Sequence, residues 1–310
     1  MKHFSIVKHA KIFFSLTALV LLIGIGSMIT RGFNLGIDFT GGSMIDVKFA
    51  KPVTVSQVRD VLTTHELGNS IIQLGTSGET AEQSESVLIR TGLIDDKTRQ
   101  AVMQDMTSQL GQNEVLRMEN VGATVGSELV KSAIAAVLLS WVLMIIYITI
   151  RFELRFALAA IVALIIDVMV TLSYFSVLHL EIDSTFVAAL LTVVGYSING
   201  TIVIFDRIRE NLHTHRRTES MGDLVDNSIW QTMNRSIYTT LTTLFAVVAI
   251  FLFGGETIHN FSFAMLVGFG SGFYTSTFLA GSMWLYFREH LGRHHAAPAV
   301  VQNPNRRKRR

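Results

Sequence analysis

Three charged residues lie in or beside strongly apolar stretches of this chain, and they are the first candidates for chemistry. Asp167 and Asp206 are carboxylates, and Arg235 carries a permanent positive charge. Placing an ionised side chain in hydrocarbon costs roughly 3 kcal/mol or more, so each of them needs a structural partner or a functional reason. These three residues are therefore the candidates for a functional site in or beside the apolar stretches.

Two polar faces are predicted on successive apolar segments. At about 100° per residue, the polar or small residues of the first segment fall within roughly 120° of one another. They are Thr192, Tyr196, Asn199, Gly200 and Asp206, and the next segment carries Arg235, Thr239, Thr242 and Thr243 on a comparable face. We expect these faces to line a relay or a wet seam. Two plainer interpretations stay open, because hydroxyls also join membrane helices and an arginine near a helix end can extend to the interface.

An intramembrane aspartyl protease is the alternative class for two membrane carboxylates. Its two carboxyl groups must share a proton around a peptide bond. Asp167 is expected at mid-depth and Asp206 at the membrane edge, which places them poorly for that chemistry. We expect no cofactor. The loop residues His179, Glu181 and Asp183 are interpreted as a solvated turn and not as a metal site.

Six membrane-spanning helices must position these residues. The chain has 310 residues, of which 49% are hydrophobic and only 16% are charged, and this is too apolar for an ordinary soluble domain. A span needs about 20 apolar residues. The predicted spans are residues 12–29, 133–150, 156–178, 186–205, 237–253 and 263–287. The first is read as an uncleaved anchor, and Gly268 and Gly272 on the last are typical of close helix packing.

The charged stretch after the first span predicts a folded domain. Alternating and helical patterns give strands at 43–49, 70–74, 86–90 and 115–121, with helices at 55–65 and 95–110. The order βαββαβ predicts a small ferredoxin-like α+β domain, with a mobile connection around residues 75–78. The chain has no cysteine, so this domain is stabilised by packing alone. The predicted regions are the N-terminus with the first span (1–30), the folded domain (31–130), a five-helix bundle (131–287) and a basic tail (288–310).

The distribution of basic residues predicts the orientation. Lysine and arginine occur in the N-terminus, at Arg151 and Arg155, in the loop at 207–217 and in the tail at 306–310. The short loops at 179–185 and 254–262 contain neither residue. Cytoplasmic loops retain basic residues, so both termini are expected in the cytoplasm and residues 31–130 outside it. The tail is expected to contact anionic lipid and not nucleic acid.

Several segments of the chain resemble the SecF family of membrane proteins. The first follows the opening span and consists of Gly36, Ile37, Asp38, Phe39, Thr40, Gly41 and Gly42. Residues 194–199 and 205–211 also resemble signature segments of the family, and so do residues 151–153, 181–183 and 252–255. They occur in order over the whole chain, and the predicted topology agrees with that of the family.

The resemblance implies a subunit of the bacterial inner membrane in the resistance-nodulation-division superfamily. Such a subunit works with SecD beside the SecYEG channel, and YajC and YidC are further possible partners. It is not an enzyme, and it uses the proton motive force to help a translocating preprotein leave on the periplasmic side. The external domain is expected to move as the bundle changes state.

Gly200 departs from the family pattern. In the family an aspartate follows the residue matching Asn199, and this aspartate is coupled to the arginine matching Arg235. Here Gly200 occupies the position, so Asp167, Asp206 or a carboxylate from SecD must carry the proton, or else the chain is a proton-uncoupled scaffold. We predict that Gly200 uncouples the chain and that Gly200→Asp restores coupling.

Overall fold

The computed structural model describes residues 4–75, 83–214 and 220–291. Three regions discussed above therefore lie outside the described residues: the predicted connection beyond Gly75, the basic residues Arg216 and Arg217, and the tail from residue 292 with its expected lipid contact. The chain divides into two compact units. One, the membrane unit, comprises residues 1–31, 140–177 and 189–310, and the other, the sheet unit, comprises 32–139 and 178–188.

Ten α-helices and six strands make up the described chain, together with one π-helical segment and one short 3-10 turn. The helices are α1 Ala10–Arg31, α2 Ile37–Thr40, α3 Val55–Thr63, α4 Asp96–Leu110, α5 Ala123–Arg151, α6 Leu154–Val177, α7 Ser184–His213, α8 Met221–Phe253, α9 His259–Tyr274 and α10 Gly281–Leu291. The strands are β1 Asn34–Leu35, β2 Gly42–Thr54, β3 Ile71–Leu74, β4 Gln83–Thr91, β5 Asn113–Val121 and β6 Glu181–Ile182. The 3-10 turn covers Glu256–Ile258, and the π-helical segment, Thr275–Ala280, joins α9 to α10.

Within the described residues, six helical segments are long and apolar enough to cross a membrane, which agrees with the predicted number. They are α1, α5, α6, α7, α8 and the continuous stretch from α9 to α10. Both α7 and α8 extend beyond the apolar runs used to predict them, because the polar C-terminal end of α7 and the polar N-terminal end of α8 remain helical and amphipathic. In α7 the helix continues past residue 205 and buries Ile208, and in α8 it begins where Ser220 accepts a hydrogen bond from Asp223 N.

Burial differs greatly among the spans. More than half of the apolar window of α6 is buried (56%), whereas the values are 11% for α1, 6% for α5 and 11% for α8. Helices α9 and α7 pack closely, because a Cβ atom at Gly268 would lie 2.2 Å from Val193 and one at Gly272 would lie 2.9 Å from Ser197. Helix α6 is therefore the centre of the membrane unit, and α1, α5 and α8 leave most of their apolar surface uncovered within this chain.

The sheet unit contains a four-stranded antiparallel sheet with the strand order β3-β4-β2-β5. Its elements follow one another as strand, helix, strand, strand, helix, strand, which is the predicted order. Alternate strand residues such as Val47, Val87 and Ile89 are buried against α3 and α4. Each fully buried side chain of this type contributes about 1.5–3 kcal/mol. A capping box between Thr54 and Gln57 starts α3.

One part of the sheet unit was missed in the sequence. Strands β1 and β6 pair in parallel over two residues each, with Asn34 beside Glu181 and Leu35 beside Ile182. Two residues are too few to show any alternation, so no periodic signal marks these strands. Their pairing attaches the loop between α6 and α7 to the segment that follows α1.

Candidate functional site

Asp167 is the centre of a polar cluster inside the membrane unit. Its side chain lies on α6 and is fully buried. Ser271 Oγ donates to Oδ1 at 2.6 Å, Thr275 Oγ1 lies 2.9 and 3.0 Å from the two carboxyl oxygens, and Ser197 Oγ donates to Oδ2. Among the described residues, none of the ion pairs includes Asp167. The carboxyl group is thus surrounded by hydroxyls from α7, α9 and the π-helical segment.

The π-helical segment places Thr275 in this cluster. Thr275 is its first residue and Ser271 lies four residues earlier on α9, so both hydroxyls face the same side of the last span. π-Helical turns inside α-helices are rare and often occur at functional sites. Sequence reasoning missed Ser197, Ser271 and Thr275, although the four-residue spacing of Ser271 and Thr275 was a readable signal.

A second polar site is a small cavity beside Gly200. It has a volume of about 60 Å³, and no carboxylate is among the described residues that line it. They include five of the predicted site residues, namely Tyr196, Asn199, Gly200, Arg235 and Thr239, together with Ser197, Thr240 and Ser276. The structure therefore brings together the predicted faces of α7 and α8. The volume exceeds that of one water molecule in the liquid, about 30 Å³.

The contacts around this cavity are weaker than those around Asp167. Tyr196 Oη donates to Thr240 Oγ1 at 3.3 Å, and Thr239 bonds to the carbonyl of Arg235 in its own helix at 2.7 Å. Asn199 and Arg235 are exposed in the isolated chain. A Cβ atom at Gly200 would lie 3.2 Å from Ser276 Oγ, a contact that a small rotation of the hydroxyl relieves. The cavity thus has room for a side chain at position 200.

Ser197 links the two polar sites. It is buried, lines the cavity of Arg235, and donates its hydroxyl hydrogen to Asp167. A hydroxyl group both donates and accepts hydrogen bonds, so it can pass a proton between a water molecule on one side and a carboxyl group on the other. This arrangement gives Asp167 a polar connection to the cavity.

Asp206 is outside both polar sites. It is exposed on α7 and lies nine residues after Ser197, about 13 Å farther along the helix axis. Asp167 is bonded at the level of Ser197, so the two carboxylates are too far apart to share a proton. This geometry gives no support to a protease dyad.

The glycine-rich segment after α1 belongs to the sheet unit and forms a tight backbone turn. Gly36 approaches the α6–α7 loop so closely that a Cβ atom would lie 2.7 Å from Glu181 Oε1. Gly41 and Gly42 have φ values of 73° and 126°, and a Cβ atom at Gly42 would lie 2.4 Å from the Thr91 carbonyl oxygen. Only glycine adopts such a backbone without strain.

The other residues of this segment hold neighbouring elements. Asp38 accepts a hydrogen bond from Ser184 N, the first amide of α7, at 2.8 Å. Thr40 Oγ1 donates to Gly36 O at 3.1 Å, and the carbonyl of Phe39 lies against α5 close to Gly126. The predicted motif residues therefore connect neighbouring chain segments within the sheet unit.

Arg90 and Glu181 form a charged site that sequence reasoning did not identify. The side chain of Arg90 is 5% exposed and that of Glu181 is 15% exposed, and Arg90 Nη1 lies 3.7 Å from Glu181 Oε1. Burial raises the pKa of Glu181 above its ordinary value, Arg90 opposes this rise, and the carboxylate of Asp183 adds to it. No group of three or more histidine or acidic side chains in the described residues is arranged to hold a metal ion.

Comparison with known families gives two matches. The chain matches the family described as "Protein export membrane protein SecD/SecF, C-terminal" over residues 102–290. It also matches the "SecD/SecF GG Motif" over residues 26–53, which include Gly41 and Gly42. The first match covers both polar sites of the membrane unit.

Relatives match over most of the chain. A protein translocase subunit SecF from Acidaminococcus fermentans is 80% identical over 94% of this chain and 100% of the relative. One from Sebaldella termitidis is 40% identical over 90% of each. The crystal structure of SecDF from Thermus thermophilus, described as a translocon-associated membrane protein, superposes with a TM-score of 0.84 at 31% identity. The superposition covers 93% of this chain, which spans 39% of the length of that SecDF chain.

Proposed function

The chain belongs to the SecF family of protein translocase subunits, and from this premise we propose that it uses the proton motive force to promote polypeptide export across the bacterial inner membrane. Its relatives are translocase subunits and not enzymes, and six apolar spans make it a multi-pass membrane protein. The substrate of this function is a translocating preprotein. The partners are SecD and the SecYEG channel, with YajC and YidC as further candidates.

The observation that carries the proton step is the position of Ser197 between Asp167 and the cavity of Arg235. An ionised carboxylate is costly in a fully buried site, and none of the ion pairs among the described residues includes Asp167, so a proton bound there neutralises the cluster. Ser197 provides the exchange path to water in the cavity. Asp167 then takes the place of the family aspartate that is absent at Gly200.

Helix movement would couple proton binding at Asp167 to polypeptide export. The hydroxyls around Asp167 come from different elements, so loss or gain of charge at the carboxyl group favours different arrangements of α6, α7 and the last span. The permanent charge of Arg235 beside the cavity opposes a second positive charge there. Proton uptake on one side and release on the other would thus drive a cycle of bundle states.

The uncovered surfaces support an association with SecD. Arg235 and Asn199 are exposed on membrane spans, and a lone arginine facing lipid near the bilayer interior is unfavourable. The apolar windows of α1, α5 and α8 are also mostly uncovered. A neighbouring membrane chain that covers α8 and offers an acidic or polar group to Arg235 would resolve both problems, and we assign this role to SecD.

We further propose that the sheet unit is a ferredoxin-like periplasmic domain and that both termini are cytoplasmic. The spatial strand order β3-β4-β2-β5 supports the domain type. So does the order along the chain, in which α3 connects β2 to β3 and α4 connects β4 to β5. The basic residues at Arg151, Arg155 and in the segment 207–217, together with the lack of lysine and arginine in the short loops at 179–185 and 254–262, support the orientation. The basic tail would contact anionic lipid.

A proton-uncoupled scaffold is the second candidate function. Gly200 favours it, because the cavity beside Arg235 is lined by described residues that include no carboxylate. The two functions are separated by measuring export in vesicles with an imposed proton gradient. If proton-driven export is correct, Asp167→Asn removes the response to the gradient; if the unsubstituted chain shows no response at all, the scaffold is correct.

A further inference from the structure

Arg235 is a permanent cation that has no anionic partner in the described part of the chain. It takes part in none of the ion pairs between described residues. The described residues that line the cavity of about 60 Å³ beside it include no carboxylate. Its guanidinium group stays charged at every physiological pH. Because an uncompensated charge in or beside a bilayer is costly, this arginine needs an anion on the side that faces the cavity.

Hydrogen-bond donors from α7 and α8 are available at this cavity. Besides the guanidinium group of Arg235, the amide of Asn199 and the hydroxyl groups of Ser236 and Thr240 belong to its lining. Thr240 Oγ1 accepts from Tyr196 Oη at 3.3 Å, which leaves the hydrogen of Thr240 for another acceptor. Among the described residues, the side chains of Arg235, Asn199 and Ser236 donate no hydrogen bond. Four groups can therefore donate to one small ligand.

Three other hydroxyl groups of the lining already donate within the chain. Thr239 and Ser276 each donate to a backbone carbonyl in the preceding helical turn, at 2.7 and 3.1 Å. Ser197 donates to Asp167. The lone pairs of these hydroxyls can accept hydrogen bonds from water, but the charge of Arg235 opposes a cation at the same place. The charge and the available donors therefore favour an anion over a metal ion.

The size of the cavity and the glycine beside it define the kind of anion. A volume of about 60 Å³ suits a monatomic ion together with a water molecule, whereas a phosphate ester or a sugar acid would leave most of its atoms outside. A Cβ atom at Gly200 would lie 3.2 Å from Ser276 Oγ, so a longer side chain there would take up part of this space. A carboxylate at position 200 would itself compensate Arg235. Glycine instead leaves that charge to a diffusible ion.

We propose that the cavity beside Gly200 binds a monovalent anion of the size of chloride, held by Arg235, Asn199 and Thr240. Chloride keeps its charge at every pH and accepts several hydrogen bonds at once, which matches a permanent cation surrounded by neutral donors. The ion compensates Arg235 from the cavity side. In the proposed complex, SecD would cover the side of Arg235 that the isolated chain exposes.

The role of this ion in proton transfer rests on the proposed function, whereas its binding does not. Ser197 lines the same cavity and contacts Asp167. A proton that approaches Ser197 through the cavity is repelled by the charge of Arg235, and an anion beside Arg235 weakens this repulsion. The bound ion therefore lowers the barrier to proton exchange without carrying a proton itself.

Thermal unfolding of the full-length chain in lipid nanodiscs tests the proposal without any export assay. The melting temperature is measured in sodium chloride and in sodium gluconate at equal concentration, so that the cation and the screening of surface charges are the same. Gluconate is too large for the cavity. An ion that binds only the folded chain stabilises it, so we expect the melting temperature to be higher in chloride by about 3 °C. The difference should saturate as the chloride concentration rises.

Three variants make the test specific to the cavity. Arg235→Gln removes the cation and Gly200→Asp supplies a fixed carboxylate, so both should melt at the same temperature in the two salts. Arg207→Gln is the matched control, because Arg207 on α7 already pairs with Glu210 at 2.6 Å and its removal should leave the chloride effect intact. Equal melting temperatures of the unsubstituted chain in the two salts would overturn the proposal. So would a chloride effect that persists at full size in Arg235→Gln or in Gly200→Asp. A missing gradient response in export would concern only the proposed function, since no gradient is applied here.

Discussion

Replacing Asp167 by Asn removes a proton-binding group while keeping nearly the same shape. The side chain is fully buried and is contacted by the hydroxyls of Ser197, Ser271 and Thr275. These hydroxyls can rotate to accept from the new amide, so we expect a loss of only ~1 kcal/mol in the free energy of unfolding. The variant should therefore fold and insert normally.

The effect on function should be much larger than the effect on stability. A proton moving down about 100 mV and about one pH unit releases about 3.7 kcal/mol, which shifts a two-state equilibrium by roughly 400-fold. If Asp167 carries that proton, Asp167→Asn loses this whole shift. Export that does not depend on the gradient should stay unchanged.

The assay compares export of a preprotein into vesicles that contain the complete translocase, with and without an imposed gradient, at matched levels of each variant. Ser271→Ala is the matched control, because it removes one hydroxyl contact of Asp167 and keeps the carboxyl group. We expect Ser271→Ala to retain a gradient response and Asp167→Asn to lose it. A full response in Asp167→Asn would refute the assignment of the proton to this residue.

Three further predictions concern the cavity, the orientation and the glycine turn. Gly200→Asp should raise gradient-dependent export, because the cavity of about 60 Å³ accepts a carboxylate, whereas Gly200→Asn should not; equal effects of the two variants would contradict proton carriage at this position. A reporter enzyme fused near Gly78 should be active only outside the cytoplasm and one fused after Arg217 only inside, and the reverse pattern would invert the proposed topology. Gly42→Ala should lower the free energy of unfolding by about 3 kcal/mol in a thermal or denaturant titration, because φ is 126° there. Gly92→Ala, where a Cβ atom meets nothing within 4 Å, is its control and should be nearly neutral.

Hydropathy and periodicity were sufficient to predict the spans and the order of the sheet elements. Each span contains an uninterrupted apolar run, and each longer strand or helix shows its own period, so these features are local. The predicted ends of the helices were less accurate. Helix α8 begins at Met221, well before the predicted start at residue 237, because its first turns are amphipathic and not continuously apolar.

The polar faces of α7 and α8 were also predictable, since helical geometry fixes which residues share a face. Tyr196, Asn199 and Arg235 line one cavity, whereas Asp206 of the same predicted face is not among its lining residues. The hydroxyls around Asp167 were not predicted, because Ser197 on α7 and the pair Ser271 and Thr275 on the last span are far from Asp167 and from each other in the chain. The same reason explains Arg90 and Glu181, which meet only when β1 and β6 pair.

The π-helical segment makes the last span depend on its residue count. A π-turn holds one residue more than an α-turn, so the two halves of the span are rotated by about 100° relative to an uninterrupted helix. The first half directs Ser271 and Thr275 to Asp167, and the second directs Trp284 to the stacked ring of Phe156 at 4.8 Å. Deleting a single residue between them would leave hydropathy and length almost unchanged, yet it would turn one of these two faces away from its partner. Insertions and deletions, more than substitutions, are therefore the changes that this span cannot absorb.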